Sequence, residues 1–351
     1  MVGILKEELT AIADKFGDDR RTEIQDVEDE IDIEDLIEEE QCVYTLTRNG
    51  YIKRTPVSEY TAQSKGGMGK KGITTRDEDS VVDVFTASTH DYLLFFTDTG
   101  KVYRKKGYQI PESGKTAKGI AVVNIIQVEP DERVQAMLHF REIENDDLKL
   151  TMVTRNGTVK RLDVSLLKNI RQSGLRAINL DENDQLVSVI ETDGQSNILI
   201  ATHDGMACCF DENDVRSMGR TAAGVRGIKL REGDYVIGAA RAVEGMKVLS
   251  ITEKGYGKQT PVEEYRVTNR GGIGIKNYEV TEKTGHVVGM KVVTGEEDLL
   301  LVTGNGIIIR MAVEGIRSTG RATQGVIVMR FKEEGDSVIS MALADKDEDN
   351  A

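Results

Sequence analysis

Residues 63–72 of this 351-residue chain run Gln63, Ser64, Lys65, Gly66, Gly67, Met68, Gly69, Lys70, Lys71 and Gly72. Four glycines leave backbone amides uncovered, and three lysines surround them with positive charge. That combination suits phosphate, because N–H donors approach it closely and ammonium groups neutralise it. The theme extends along the chain. Arg48, Lys53 and Arg54 precede the loop, and Lys101, Arg104, Lys105, Lys106, Lys115 and Lys118 follow it. Later loops carry Arg171, Arg176, Arg216, Arg220, Arg226, Arg266, Arg270, Arg317 and Arg321. These bases and the Gly-rich loop are the candidate nucleic-acid-binding residues.

Other chemistries find little support. Ser113, Gly114, Lys115 and Thr116 imitate the end of a nucleotide-binding P-loop, but Gln109 stands where its first glycine must be. His90, His139, His203 and His286 are scattered, and no nucleophile–base pair accompanies them. Cys42, Cys208 and Cys209 have no metal-ligand spacing, which argues against zinc and for a reducing compartment. No catalytic residue, metal or cofactor is expected.

The candidate bases sit in a repeating frame. An octet beginning Thr-x-x-Gly recurs six times, as TRNGYIKR, TDTGKVYR, TRNGTVKR, THDGMACC, TEKGYGKQ and TGNGIIIR. Its glycines, Gly50, Gly100, Gly157, Gly205, Gly255 and Gly306, are separated by 50, 57, 48, 50 and 51 residues. Each octet predicts a β-hairpin with a two-residue turn of positive φ. A glycine-flanked loop follows in each copy, for example Gly114 to Gly119, Gly219 to Gly224 and Gly320 to Gly325. It is most worn in copy three, at Ser173 to Ile178. A Gly-Asp or Asn-Asp turn and a last apolar strand close the unit. Four strands per unit and no helices within them predict an all-β, six-bladed propeller-like disc. Equivalent loops then fall at one radius, so their bases line a rim. That rim is densest in copies one and two, with single arginines from copies four to six.

The ends differ from this body. Leu5, Leu9, Ile12 and Phe16 mark one stripe of a short N-terminal helix, with Gly17 as its stop. Residues 25–40 form an acidic linker in which Ile31, Ile33, Leu36 and Ile37 suggest one short strand. The net charge of −14 is concentrated there: residues 1–40 carry −12 and the tail 345–351 carries −3, leaving 41–344 at +1. Partner arguments must therefore rest on local charge. No apolar run approaches membrane-spanning length.

The repeats, together with Gln63, Lys65, Gly66, Gly67 and Gly69, resemble the C-terminal domain of the bacterial DNA gyrase A protein. Residues 17–24 are similar to the end of that protein's breakage–reunion domain. The resemblance implies a six-bladed β-pinwheel over 41–344 whose neighbouring blades exchange strands, preceded by a helical end (1–24). It implies sequence-independent wrapping of duplex DNA by a non-catalytic domain, monomeric when isolated. It further implies an A2B2 holoenzyme with the gyrase A N-terminal domain and gyrase B, cytoplasmic and nucleoid-associated, introducing negative supercoils with ATP. The nucleophilic tyrosine would lie outside this chain. Ser64 and Met68 stand where the family usually has Lys or Arg, so a topoisomerase IV-like role stays open, as does a protein-binding propeller scaffold.

Overall fold

The computed structural model describes residues 2–17, 33–47, 49–57, 81–114, 117–144, 147–305, 308–331 and 335–344. The chain divides into two units, Met1–Glu38 and Glu39–Ala351. The first contains the α-helix Val2–Phe16, stopped at Gly17, whose N–H bonds to Ala13 O at 2.7 Å. Ile33–Leu36 forms a 3-10 turn instead of the expected strand. Among the described residues of this unit there is no strand to pair with it, and a lone strand has nowhere to place its backbone donors.

The second unit is a ring of six blades. In blade 2, the hairpin strands Tyr92–Thr97 and Lys101–Lys106 pair antiparallel, and Val134–Phe140 adds to the inner side. The remaining edge is covered by Leu175–Arg176, a two-residue strand from the next repeat. The same exchange places Ile120–Ala121 on blade 1, Val225–Arg226 on blade 3, Ile275–Lys276 on blade 4 and Val326–Ile327 on blade 5. Among the described residues the sixth sheet has three strands. The innermost strands pack side by side around the axis, and Val338–Ala344 meets Val81–Ser88 to complete the circuit.

Period-two alternation explains why blades stack. Leu93 and Phe95 face blade 1, whereas Leu94 and Phe96 face blade 3, and all four are fully buried. Cys208 and Cys209 likewise enter different inter-blade cores, so the sequence expectation of opposite faces holds. Burial pushes the Cys209 thiol up to about 11, which leaves it protonated and unreactive. Each buried Leu or Phe contributes roughly 1.5–3 kcal/mol.

The octet glycine has a different turn from the expected one. Gly50, Gly100, Gly157, Gly205 and Gly255 have positive φ, but the residues before them do not. Each glycine N–H donates at 3.0 Å to the carbonyl of the octet threonine, and threonine Oγ1 accepts from the residue after the glycine, at 3.1 Å in Thr47 and Thr154. This is a type I turn closed by a left-handed glycine, which explains why Thr recurs at the first position. The Gly-Asp and Asn-Asp turns also acquire a role. Asp184 and Asp234 each accept the turn's second amide at 2.9 Å, from Asn156 and Asp204.

The loop glycine preceding each exchanged strand has positive φ for another reason. An added Cβ would lie 2.4 Å from Ile52 O at Gly119, 2.6 Å from Val159 O at Gly224 and 2.3 Å from Ala207 O at Gly274. These glycines let one repeat's backbone lie against its neighbour's. Gly174 does this in copy three, against the Tyr103 ring, so the worn loop kept the glycine that docking needs. We predict that Gly274→Ala lowers the unfolding free energy by about 2–4 kcal/mol through left-handed strain and overlap. Gly194→Ala, also at positive φ but with open space around it, should cost about 1 kcal/mol. Denaturant midpoints of the two variants test this, and equal losses would refute the docking role.

Candidate nucleic-acid interface

The rim is assembled from the exchanged loops. Among the described residues, after the hairpins of blades 2, 4, 5 and 6 the chain makes a short 3-10 turn, runs briefly parallel to the preceding blade and turns, and its exchanged strand, where described, pairs antiparallel with that blade. The parallel contacts are Arg54 with Glu112, Arg161 with Ser217, Cys209 with Val267 and Gln259 with Ser318. Because the path repeats, side chains at equivalent loop positions recur around the ring.

Those positions carry exposed bases. Arg216, Arg266 and Arg317 each stand eleven residues after their octet glycine, just past a 3-10 turn, and are exposed, as is Arg171 further along the shorter copy three loop. Arg176, Arg226 and Lys276 are the exposed second residues of their exchanged strands. Arg220 is exposed between these tiers, while Arg270 and Arg321 are half-buried. Arg270 donates to Asp214 O at 2.8 Å and Arg226 O at 3.0 Å, and Arg321 donates to Lys276 O at 2.9 Å. These two therefore tie consecutive loops together. At these positions copy four presents three exposed bases and copy five two, Arg266 and Lys276, against the expectation of single arginines there.

Blade 2 adds a basic recess lined by Arg104, Lys105, Lys106 and Arg171. Arg104 and Lys106 lie over the Tyr92 ring, 5.1 and 3.7 Å from its centroid. Lys118 is exposed and covers Tyr51 at 3.6 Å. Lys101 is engaged by Glu129 at 2.5 Å and Glu132 at 3.7 Å, which neutralises it locally. Arg48, Lys115 and the whole of 63–72, with Gln63, Lys65, Gly66, Gly67, Gly69, Lys70 and Lys71, lie outside the described residues.

Two candidates turn inward instead. Lys53 is 1% exposed, and its Nζ donates to Gly114 O at 3.2 Å, in the loop of the next repeat. Arg54 is held by Glu40 at 3.1 Å and Glu112 at 3.5 Å and donates to Ile110 O at 3.1 Å. Neither reaches the rim surface, so both are removed from the DNA-contact set. Octet position seven faces the blade interface, and position eight faces the neighbour's 3-10 turn, where Gln259 likewise donates to Val313 O and Ile316 O.

Sequence reasoning missed what position seven does. Lys160 donates to Ala177 O and Arg220 O, both at 2.6 Å, and Lys258 donates to Gly320 O at 2.9 Å and to Arg321 O. Blades 1, 3 and 5 thus hold the next repeat's loop by a buried ammonium. The strand alternation around Lys53, Lys160 and Lys258 was the available signal. Lys276 and Arg330, both exposed, were also missed.

Strand-exchanged blades in a ring define this protein as a six-bladed β-propeller. The DNA gyrase C-terminal domain, beta-propeller, family model matches residues 43–88, 91–140, 149–193, 196–242, 247–294 and 297–345, one stretch per blade. The chain is 48% identical over 358 residues to the DNA gyrase A protein of Staphylococcus aureus (strain MRSA252), covering 100% of this chain and 40% of that protein. It is 46% identical to the gyrase A protein of Staphylococcus epidermidis (strain ATCC 12228 / FDA PCI 1200), covering 100% of this chain and 39% of that one. Among solved structures, a DNA topoisomerase IV C-terminal domain matches with TM-score 0.74 and 29% identity, over 88% of this chain and 94% of that one. A DNA gyrase A C-terminal domain matches with TM-score 0.70 and 26% identity, over 87% and 100%. The chain belongs to the DNA gyrase A C-terminal domain family. It spans well under half the length of the gyrase A proteins it matches.

The buried lysines give a pH test. Burial lowers Lys160 and Lys258 from the ordinary 10.5 to about 8. Below about 8 both are charged, and the cost of desolvation is fully present. Between about 8 and 10.5 the unfolded chain holds protons that the folded chain has shed, so stability rises with pH through that window. Lys160→Met should remove part of this rise. Denaturant titrations from pH 7.5 to 10 check it, and an unchanged pH slope in the variant would exclude Lys160 as a contributor.

Proposed function

We propose that this domain binds duplex DNA along its rim without sequence preference and bends it as a non-catalytic wrapping module. The observation that carries this reading is the recurrence of exposed arginines at one loop position, Arg216, Arg266 and Arg317, each eleven residues after its octet glycine. Their spacing follows the repeat, so a strand of phosphates bent around the ring meets one such arginine in each of copies four to six. Smooth bending of 20–30 base pairs costs of the order of 1–6 kcal/mol, and distributed phosphate contacts offset it. Arginine suits this task because its planar fork grips phosphate oxygens in pairs.

In the whole enzyme, wrapping by this domain would present a DNA crossing of one hand to an A2B2 assembly with gyrase B. ATP-driven strand passage there would introduce negative supercoils, with the catalytic tyrosine outside this chain. The Gly-rich loop 63–72 is the proposed first contact. A topoisomerase IV role is the alternative, favoured by the similarity to that enzyme's C-terminal domain. The relatives matched along the whole chain are gyrase A proteins, which favours the first reading.

Arg216→Ala, Arg266→Ala and Arg317→Ala combined should weaken DNA binding and lower the slope of log K against log salt by roughly 2–3. Closing a nicked circle in the presence of the domain should leave a linking-number bias that the triple variant reduces. Replacing Lys65, Lys70 and Lys71 should reduce the bias far more than Arg310→Ala, whose guanidinium is paired with Asp298 at 2.7 Å. An unbiased product with the unaltered domain would defeat wrapping, and no retention on DNA at low salt would favour a protein-binding scaffold.

A further inference from the structure

We propose that His203, Asp204 and His286 form a binding site for a divalent transition-metal ion that staples blade 4 to blade 5. His203 and Asp204 are the second and third residues of the blade 4 octet. His286 stands immediately before the inner strand Val287–Val293 of blade 5. The backbone brings these places together: Val287 N donates to His203 O at 3.0 Å, and His203 N to Tyr235 O at 2.9 Å. Equivalent bonds join Val236 N to Arg155 O and Val338 N to Glu253 O, so the fold creates this junction between successive blades. Histidines on both sides occur at the junction of blades 4 and 5.

The donor atoms lie close enough together to share one ion. Asp204 Oδ1 lies 3.1 Å from His286 Nδ1 and 3.7 Å from His203 Nδ1. One ligand atom from each residue lies within 4.8 Å of the others. Donors bound tetrahedrally at about 2.0–2.2 Å stand a little over 3 Å apart, each aimed at the ion and not at its neighbour. His286 Nδ1 is buried from solvent and lies close to the carboxylate oxygen, yet it makes no hydrogen bond. Two imidazoles and one carboxylate are a donor set for Zn²⁺, Co²⁺ or Ni²⁺, and leave a position for water.

The surroundings allow binding. The rings of His203 and His286 are stacked, 4.3 Å apart and 7° from parallel, so they must splay for both lone pairs to converge. The His286 side chain is 44% exposed. Tyr235 stacks on the other face of His203 at 4.4 Å, with the Arg155 guanidinium beyond it. That arrangement holds His203 in place and keeps the cation one ring away. Glu253 anchors the His286 backbone, with Oε1 accepting from His286 N at 3.1 Å.

The test is titration of chelator-treated chain with Co²⁺, followed by visible d–d absorption and by displacement with Zn²⁺. One Co²⁺ per chain should bind with nitrogen-ligand absorption, and one Zn²⁺ should displace it. Saturating Zn²⁺ should also raise the melting temperature. His286→Ala and Asp204→Asn should each lose the stoichiometric site, whereas His139→Ala, in blade 2, should keep it. Circular dichroism separates lost binding from lost folding, and Asp204→Asn, at a solvent-facing turn, serves if His286→Ala unfolds. Absence of stoichiometric uptake by the unaltered chain would overturn the site. So would uptake that persists in folded His286→Ala or Asp204→Asn.

Discussion

Each described hairpin of blades 1 to 5 ends with an unpaired edge, and the next repeat covers it with two residues. An open strand edge is a site for adventitious pairing, and a propeller must close each one or leave it to associate. Here closure is made by the same loop that travels over the outside of the disc. The loop is pinned by backbone bonds at its exchanged strand, so its bases inherit the rigidity of a sheet. A rim built this way is continuous with the core, and the spacing of its charges is set by blade geometry.

That coupling divides the basic residues into two populations with opposite duties. Lys160 and Lys258 are fully buried, and each ammonium donates to loop carbonyls of the following repeat. Burying a charge is costly unless it is fully hydrogen-bonded, so these lysines are tied to one loop conformation. Arg216 and Arg317 stand on the outside of the loops that such contacts fix, where their charge remains available to a polyanion. Removing an inner lysine would therefore act on the rim through loop position, and removing an outer arginine through charge alone.

Much of this was legible in the sequence. The octet period gave six blades, and the apolar stretch Leu93, Leu94, Phe95 and Phe96 proved to be a strand buried on both faces. The turn type was misjudged because Asn-Gly favours a two-residue hairpin, while the buried threonine hydroxyl at position one selects a different turn. Ile33 and Leu36 looked like a strand because apolar spacing alone does not supply a pairing partner. Lys53 and Arg54 were assigned to the rim because charge is usually solvated. Their exposure depends on a neighbouring repeat's loop, which local pattern does not reveal.

The pairing of His203 with His286 shows the same limit from the other side. Metal motifs are read from short spacings, and these residues belong to different repeats. Yet a repeat fold makes distant positions adjacent by rule: the octet's second residue meets the residue before the next inner strand. Once that rule is known, the junction residues can be paired directly from the sequence, as Arg155 with Tyr235 and His203 with His286. A propeller is thus a device that converts a period of about fifty residues into contacts. Its rim and its inter-blade junctions can carry different chemistry without disturbing the β core between them.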